Sequence, residues 1–146
     1  MATHEYAAAV TWKGGREGQG SIEADRLQTP VSVPPEFQGP GNGTNPEELL
    51  TSSIAACYTM TFAIIAQNRK IPVAGLRTEA TGEVEQAGAQ FTYKKVTLRP
   101  RIELEGGASS ELRKLAEDMA HKADAYCIIT NAVRGKVEIL VEPTIV

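Results

Sequence analysis

A chain of 146 residues with 42% hydrophobic content is long enough to bury a core without disulfide or metal staples, and residues 1–146 are expected to form one domain. The net charge of −3 is small and mixed in sign, basic residues form no run, and aromatics make up 5%, so a nucleic-acid partner is excluded. There is no C-x-x-C pair, and the two histidines, His4 and His121, have no ligand spacing to either cysteine, so neither a metal nor a cofactor is expected.

Tyr6 to Trp12 reads as a strand, followed by the turn Gly14 to Gly18 and a return strand near Ser21 to Ala24, a hairpin with Arg16 at its tip. Thr29 to Val33 suits a third short strand. Pro34-Pro35 and the glycines Gly39, Gly41 and Gly43 then impose a loop that ends at Asn45-Pro46. Thr44 or Asn45 can cap a helix, Pro46 suits its first turn, and Glu47 with Glu48 complement its dipole. The helix is expected to run to about Asn68, with Arg69 and Lys70 at its C-terminal end and Pro72 preventing continuation. Its charge-free stretch from Leu49 to Asn68 is long enough for a membrane span. Thr51, Ser52, Ser53, Thr59 and Thr61, together with flanking amphipathic strands, favour instead a helix buried on most sides within a soluble assembly, with no membrane partner.

From Leu76 to Glu85 charged and apolar residues alternate, as in a half-buried strand, and Gln86 to Gln90 turns the chain. The partner strand begins at Phe91 and resumes at Val96, so a β-bulge is expected at Lys94-Lys95, while Pro100 favours an edge or a strand break. Ser109 or Ser110 caps a second helix carrying Leu112, Leu115, Ala116 and Met119. Cys127 opens a short helical segment to about Val133, and Val137 to Val141 reads as the last strand. No internal repeat is present.

The two cysteines lie seventy positions apart, and Cys57 sits in the middle of the uncharged helix. A free cysteine most often acts as a small buried hydrophobe. A permanent structural disulfide is not expected, because no secretory signal opens the chain and a reducing cytoplasm disfavours one. Were the two to meet in space, the chain would hold a nucleophile and a resolving partner.

The segment Gly43-Thr44-Asn45-Pro46-Glu47-Glu48-Leu49-Leu50, followed by Ala55-Ala56-Cys57, resembles the signature of the OsmC/Ohr family of peroxiredoxin-like proteins, named for osmotic induction and organic hydroperoxide resistance. The similarity continues at Cys127-Ile128-Ile129-Thr130-Asn131-Ala132-Val133, which is similar to the family's second-cysteine segment. The resemblance implies an α+β fold, with antiparallel sheets wrapped around central cysteine-bearing helices in an intertwined homodimer. It also implies a thiol-dependent peroxidase acting on small organic hydroperoxides, and on hydrogen peroxide less well, with an external dithiol of lipoyl type as reductant. By position, Cys57 matches the peroxidatic cysteine, Cys127 the resolving cysteine, Glu47 the carboxylate ten residues before the thiol, and Arg16 the hairpin arginine of the organic hydroperoxide resistance branch. A module of the same fold that senses oxidants or binds an apolar ligand without turnover is the alternative.

Cys57 lies too far inside its helix for that helix's own N-terminus to lower its pKa much, so a guanidinium is the expected activating cation, with Glu47 as its bidentate partner. Ten helical residues put Glu47 and Cys57 roughly 15 Å apart along the axis, so arginine must bridge them or the carboxylate must come from a second subunit. The chain departs from the family in two places. Where the osmotically inducible branch has an arginine before Phe-x-Gly, Glu36-Phe37-Gln38-Gly39 stands here, which makes Arg16 the leading candidate ahead of Arg69, Arg77, Arg99 and Arg101. Ile128 follows Cys127 where proline is common, altering the mobility of that cysteine and adding apolar surface beside it. Phe37, Met60 and Ile129 are candidate pocket walls.

Overall fold

A computed structural model describes all residues from Met1 to Val146, which cluster into two compact units, Met1–Leu49 and Leu50–Val146. In the first, β1 (Ala8–Lys13), β2 (Gln19–Ala24) and β3 (Leu27–Val31) form an antiparallel sheet in the order β1-β2-β3. Pro35–Phe37 makes one 3-10 turn, and the loop after it is tied back by hydrogen bonds from the Ser32 amide to the Thr44 carbonyl and from the Thr44 amide to the Pro30 carbonyl. The meander buries little: β1 is exposed along its whole length, Val10 and Trp12 included, and so is Tyr6 just before it.

α1 (Pro46–Asn68) keeps the bounds that its punctuation predicts. Asn45 is the cap: its Oδ1 accepts from the Glu48 amide at 2.8 Å, while the Thr44 hydroxyl donates to the Glu48 carboxylate at 2.7 Å. At the far end Lys70 turns left-handed at φ 56, the Ile71 amide bonds to the Ala66 carbonyl and the Lys70 amide to that of Gln67. This is a Schellman motif built on lysine rather than glycine, with buried Ile71 supplying its apolar contact and Pro72 closing off any extension.

The second unit wraps one stripe of α1. Ile54, Tyr58, Phe62 and Ala66 are buried at intervals of four residues, whereas Met60 and Ile64 are 61% and 58% exposed, so within one chain the helix is covered on one side only. The stripe packs on β5 (Gln90–Leu104), whose even-numbered residues Val96, Leu98, Pro100, Ile102 and Leu104 are buried with the alternation of a strand. β4 (Val73–Ala87) pairs antiparallel with β5 through a two-residue loop, Gly88-Ala89, in which only Gly88 has positive φ, the pattern of a type II′ turn. The expected bulge is present: Glu83 faces Lys95 and Val84 faces Tyr93, leaving Lys94 as the extra residue. Gly82 gives the Thr51 and Tyr93 hydroxyls, which hydrogen-bond at 2.5 Å, room that any side chain at residue 82 would fill.

One expectation needs correction. Pro100 neither ends β5 nor places it at an edge, because β5 is the central strand, with β4 on one side and β6 (Glu138–Val141) and β7 (Thr144–Ile145) on the other. The Leu98 and Ile102 carbonyls accept from Glu142 and Val146, so the even-numbered residues of β5 present their backbone groups to the β6–β7 side. Pro100 thus lacks its N–H opposite the break between β6 and β7, where no ladder bond is required. The fold is α+β as expected, and within it this sheet is mixed, since β6 and β7 run parallel to β5.

α2 (Ser110–Lys122) is capped by Ser109, whose hydroxyl accepts from the Leu112 amide at 3.1 Å, and it buries Ala116, Met119 and Ala120. A 3-10 turn over Ala123–Tyr126 leads to Cys127 and α3 (Ile128–Val133).

Candidate functional site

Local chemistry in the second unit brings the two cysteines together. Cys57 stands beside the buried stripe of α1 and is itself half-buried, whereas Cys127 is 0% exposed. Next to Cys57, the Tyr58 hydroxyl donates to the Ala120 carbonyl at 2.5 Å, which fixes the last turn of α2 against α1 and so sets where the chain enters the Cys127 segment. Burial, reinforced by the charge of Asp124, holds the Tyr58 hydroxyl protonated far above the ordinary tyrosine range. Cys127 is the N-cap of α3: its sulfur accepts from the Thr130 amide at 3.5 Å, and its carbonyl accepts from the Asn131 amide at 2.9 Å.

The electrostatics of the two sulfurs diverge. Burial raises the Cys57 thiol, but hydrogen bonds from the Cys127 thiol, the Ile129 amide, the Thr61 hydroxyl and the Ile128 amide outweigh that cost and leave it below its ordinary value. Cys127 moves the other way. Its burial and its donation to Cys57 hold the proton on, and the Thr130 hydroxyl and amide only partly offset them. When the pair loses a proton, it is therefore Cys57 that gives it up first, while Cys127 keeps its own.

Sequence reasoning looks for the activating charge in a side chain and so misses two groups. Thr61, one turn beyond Cys57 on α1, reads as an ordinary polar residue of the uncharged helix; its spacing of four from the cysteine is the only signal that it could reach the sulfur. The amides of Ile128 and Ile129 carry no residue-type signature at all, yet they are the free N–H groups of the first turn of α3. One turn further along α1, Ile65 borders a cavity of 340 Å³ lined also by Asn68, Arg69, Met119, Lys122 and Tyr126.

The remaining expected residues are placed as follows. Arg16 is exposed in the β1–β2 turn, and its Nη1 donates to the Phe37 carbonyl at 2.7 Å. Glu47 is half-buried in the first turn of α1. Within Leu50–Val146 no guanidinium is among the partners of the Cys57 sulfur: Arg69 donates to Met119 Sδ at 3.8 Å, Arg77 pairs with Glu79 at 3.6 Å, Arg99 pairs with Glu142 at 3.5 Å, and Arg101 is exposed. Of the candidate pocket walls, Phe37 is half-buried, Met60 is exposed, and Ile129 packs on the core. Ile128 is 79% exposed, which puts apolar surface next to the thiol pair.

An isoleucine after Cys127 has a consequence that proline would not allow, because proline has no N–H to give. Replacement Ile128→Pro suits the first position of α3 conformationally, so it deletes one hydrogen bond to the Cys57 sulfur while leaving the helix intact. The expected outcome is an alkylation-versus-pH curve for Cys57 moved to higher pH, with the circular dichroism unchanged. An unmoved curve would show that the Ile128 amide contributes nothing to the thiolate.

The chain and its fold have counterparts among known proteins. Residues 39–142 match the family model described as OsmC-like protein. Over 145 residues the chain is 37% identical to the uncharacterized protein YmaD of Bacillus subtilis, covering 99% of this chain and 97% of the relative. It is 30% identical to the organic hydroperoxide resistance protein of Xanthomonas axonopodis pv. citri, over 92% of this chain and 91% of that one. The crystal structure of an organic hydroperoxide resistance protein OsmC from Legionella pneumophila superposes with a TM-score of 0.77 at 26% identity, covering 97% of this chain and 99% of that one. Two thiols on an α+β scaffold of this kind, a family match over most of the length and relatives aligned nearly end to end lead to one assignment: the chain belongs to the OsmC-like family.

Proposed function

We propose that the protein is a cysteine-based peroxidase that reduces organic hydroperoxides, and hydrogen peroxide less well, in the cytoplasm. The observation that carries this reading is the hydrogen-bonded pair Cys57 and Cys127, in which the half-buried sulfur is pulled toward thiolate and the buried one held as thiol. The names of its relatives support a peroxiredoxin-like redox role. The Cys57 thiolate attacks the terminal peroxide oxygen, the O–O bond breaks, and the alkoxide leaves as alcohol after taking a proton. Cys127 then attacks the resulting sulfenic acid, the S–O bond breaks with loss of water, and a Cys57–Cys127 disulfide forms. An external dithiol, of lipoyl type by analogy with the family, returns both thiols.

Arg16 and Glu47 complete the proposed site. The guanidinium would stabilise the thiolate and the charge developing on the leaving oxygen, and the Glu47 carboxylate would hold its planar fork. The working unit is a homodimer of intertwined subunits. Its support is the apolar surface one chain leaves open: Tyr6 and Val10 at 96% and 64% exposure in the first unit, and Met60 and Ile64 on α1 in the second.

Three outcomes test the proposal. Cys57→Ser abolishes peroxide consumption, whereas Cys127→Ser permits one oxidation and leaves a sulfenic acid trappable by dimedone; continued turnover by Cys57→Ser removes the mechanism, and stoichiometric disulfide formation without dithiol-driven turnover in the unaltered protein favours the sensing alternative. Arg16→Ala slows peroxide reduction by more than the lost thiolate fraction explains, and Arg16→Lys restores only part, since an ammonium keeps the charge without the fork; unchanged rates and alkylation curves make Arg16 a bystander. Sedimentation gives about twice the chain mass at micromolar concentration, and a monodisperse monomer rejects the dimer.

A further inference from the structure

One side chain holds the Cys127 segment from both directions. Arg134, immediately after α3, donates from Nη2 to the Asp124 carbonyl at 3.0 Å and pairs with the Asp124 carboxylate at 3.6 Å, while its Nε donates to Asn131 Oδ1 at 3.1 Å. Asn131 passes the connection on, donating from Nδ2 to the Ala125 carbonyl at 3.1 Å. Inside this ring lies Cys127, whose own amide donates to the same Asp124 carbonyl at 3.3 Å. The guanidinium thus joins the 3-10 turn before the cysteine to the helix after it. The Asp124 side chain is only 18% exposed, so the pair is better shielded than an ordinary surface ion pair.

A six-residue helix has little stability of its own, and nothing in its sequence fixes the angle at which it leaves the preceding turn. That angle decides where the Cys127 sulfur points. The contact with Cys57 is a hydrogen bond between thiols, and closing it to a covalent bond of about 2 Å requires the two sulfurs to approach in a narrow range of geometry. We infer that Arg134 is a positioning residue for disulfide closure: by clasping Asp124 and Asn131 it keeps the Cys127 sulfur aligned on Cys57 and so sets the rate at which the Cys57–Cys127 bond forms. The inference rests on the reading of Cys127 as the resolving thiol, and it holds whatever oxidant acts first.

An aromatic disulfide whose thiolate product is coloured tests it without peroxide. The Cys57 thiolate attacks one of its sulfurs, a mixed disulfide forms and one aryl thiolate leaves; Cys127 then gives its proton to solvent and attacks the Cys57 sulfur, expelling a second aryl thiolate. The first release reports Cys57, and the second reports the alignment of Cys127. Arg134→Ala and Asn131→Ala are expected to slow the second release by about tenfold or more, and to slow it more than the first. Arg134→Lys retains a charge for Asp124 but cannot also serve Asn131, so it restores thermal stability without restoring the second release. In a parallel peroxide pulse, the variants hold the Cys57 sulfenic acid longer for dimedone. A second release at the unaltered rate in folded Asn131→Ala and Arg134→Lys overturns the inference, whether or not Arg134→Ala folds. If the unaltered protein releases only one equivalent, the thiol pairing itself fails and takes the inference with it. A fast second release without peroxide consumption, slowed in the variants, removes the peroxidase reading and leaves the clasp standing.

Discussion

The hydrogen bond from the Cys127 thiol to the Cys57 sulfur is the contact on which the rest of the site depends. It requires two segments seventy residues apart to meet within a sulfur–sulfur contact, and each constraint on the second unit contributes to that meeting. The buried stripe of Ile54, Tyr58, Phe62 and Ala66 seats α1 on β5, and Thr59, whose hydroxyl donates to the Ala55 carbonyl and accepts from the Thr78 hydroxyl at 2.7 Å, attaches it to β4. Tyr58 then fixes the end of α2, and four residues of 3-10 turn carry the chain from there to Cys127. Within its own unit this thiol is shifted by dipoles rather than by a charged neighbour. Dipoles of short reach, two amides and a hydroxyl, outweigh the desolvation of Cys57 because they are held in place before any charge appears.

The same contact explains why two identical side chains behave differently. Both sulfurs lose solvent, which by itself would keep both protonated. The difference comes from the direction of the hydrogen bonds: the amides of Ile128 and Ile129 converge on Cys57, while Cys127 gives its proton toward that sulfur and receives donors only from Thr130. The two sulfurs are thus distinguished by backbone geometry at the start of α3, rather than by the residues that flank each cysteine in sequence.

Much of this arrangement was legible in the sequence, for identifiable reasons. The bounds of α1 follow from Asn45, Pro46 and Pro72, whose local chemistry acts whatever the tertiary context. The bulge at Lys94 follows from a slip in apolar phase, and Ser109 and Cys127 stand at the helix starts their positions suggest. The pairing of the cysteines was reached through family resemblance, since nothing in a single sequence measures distance across seventy residues. What stayed hidden was of two kinds. Backbone donors such as the Ile128 amide have no side-chain identity to read, and tertiary arrangements such as the parallel addition of β6 and β7 to β5 depend on which edge a returning strand meets. The two-unit clustering at Leu49 and Leu50 likewise leaves no mark, because the boundary falls inside a continuous helix.

Pro100 acts on the chain's last residues as a form of punctuation. Facing the interruption at Glu142 and Pro143, it has no hydrogen to offer, and its neighbours Leu98 and Ile102 accept from Glu142 and Val146 on either side. A tail that slid along β5 so as to bring a carbonyl opposite the proline would leave that carbonyl unsatisfied in a buried setting, at a cost of about 1–3 kcal/mol. Misaligned versions of the C-terminal strands are thereby disfavoured. The stretch from Arg134 to Val137 that leads out of α3 then has one anchored destination, and a single proline far from either cysteine discriminates among the ways the chain could finish folding.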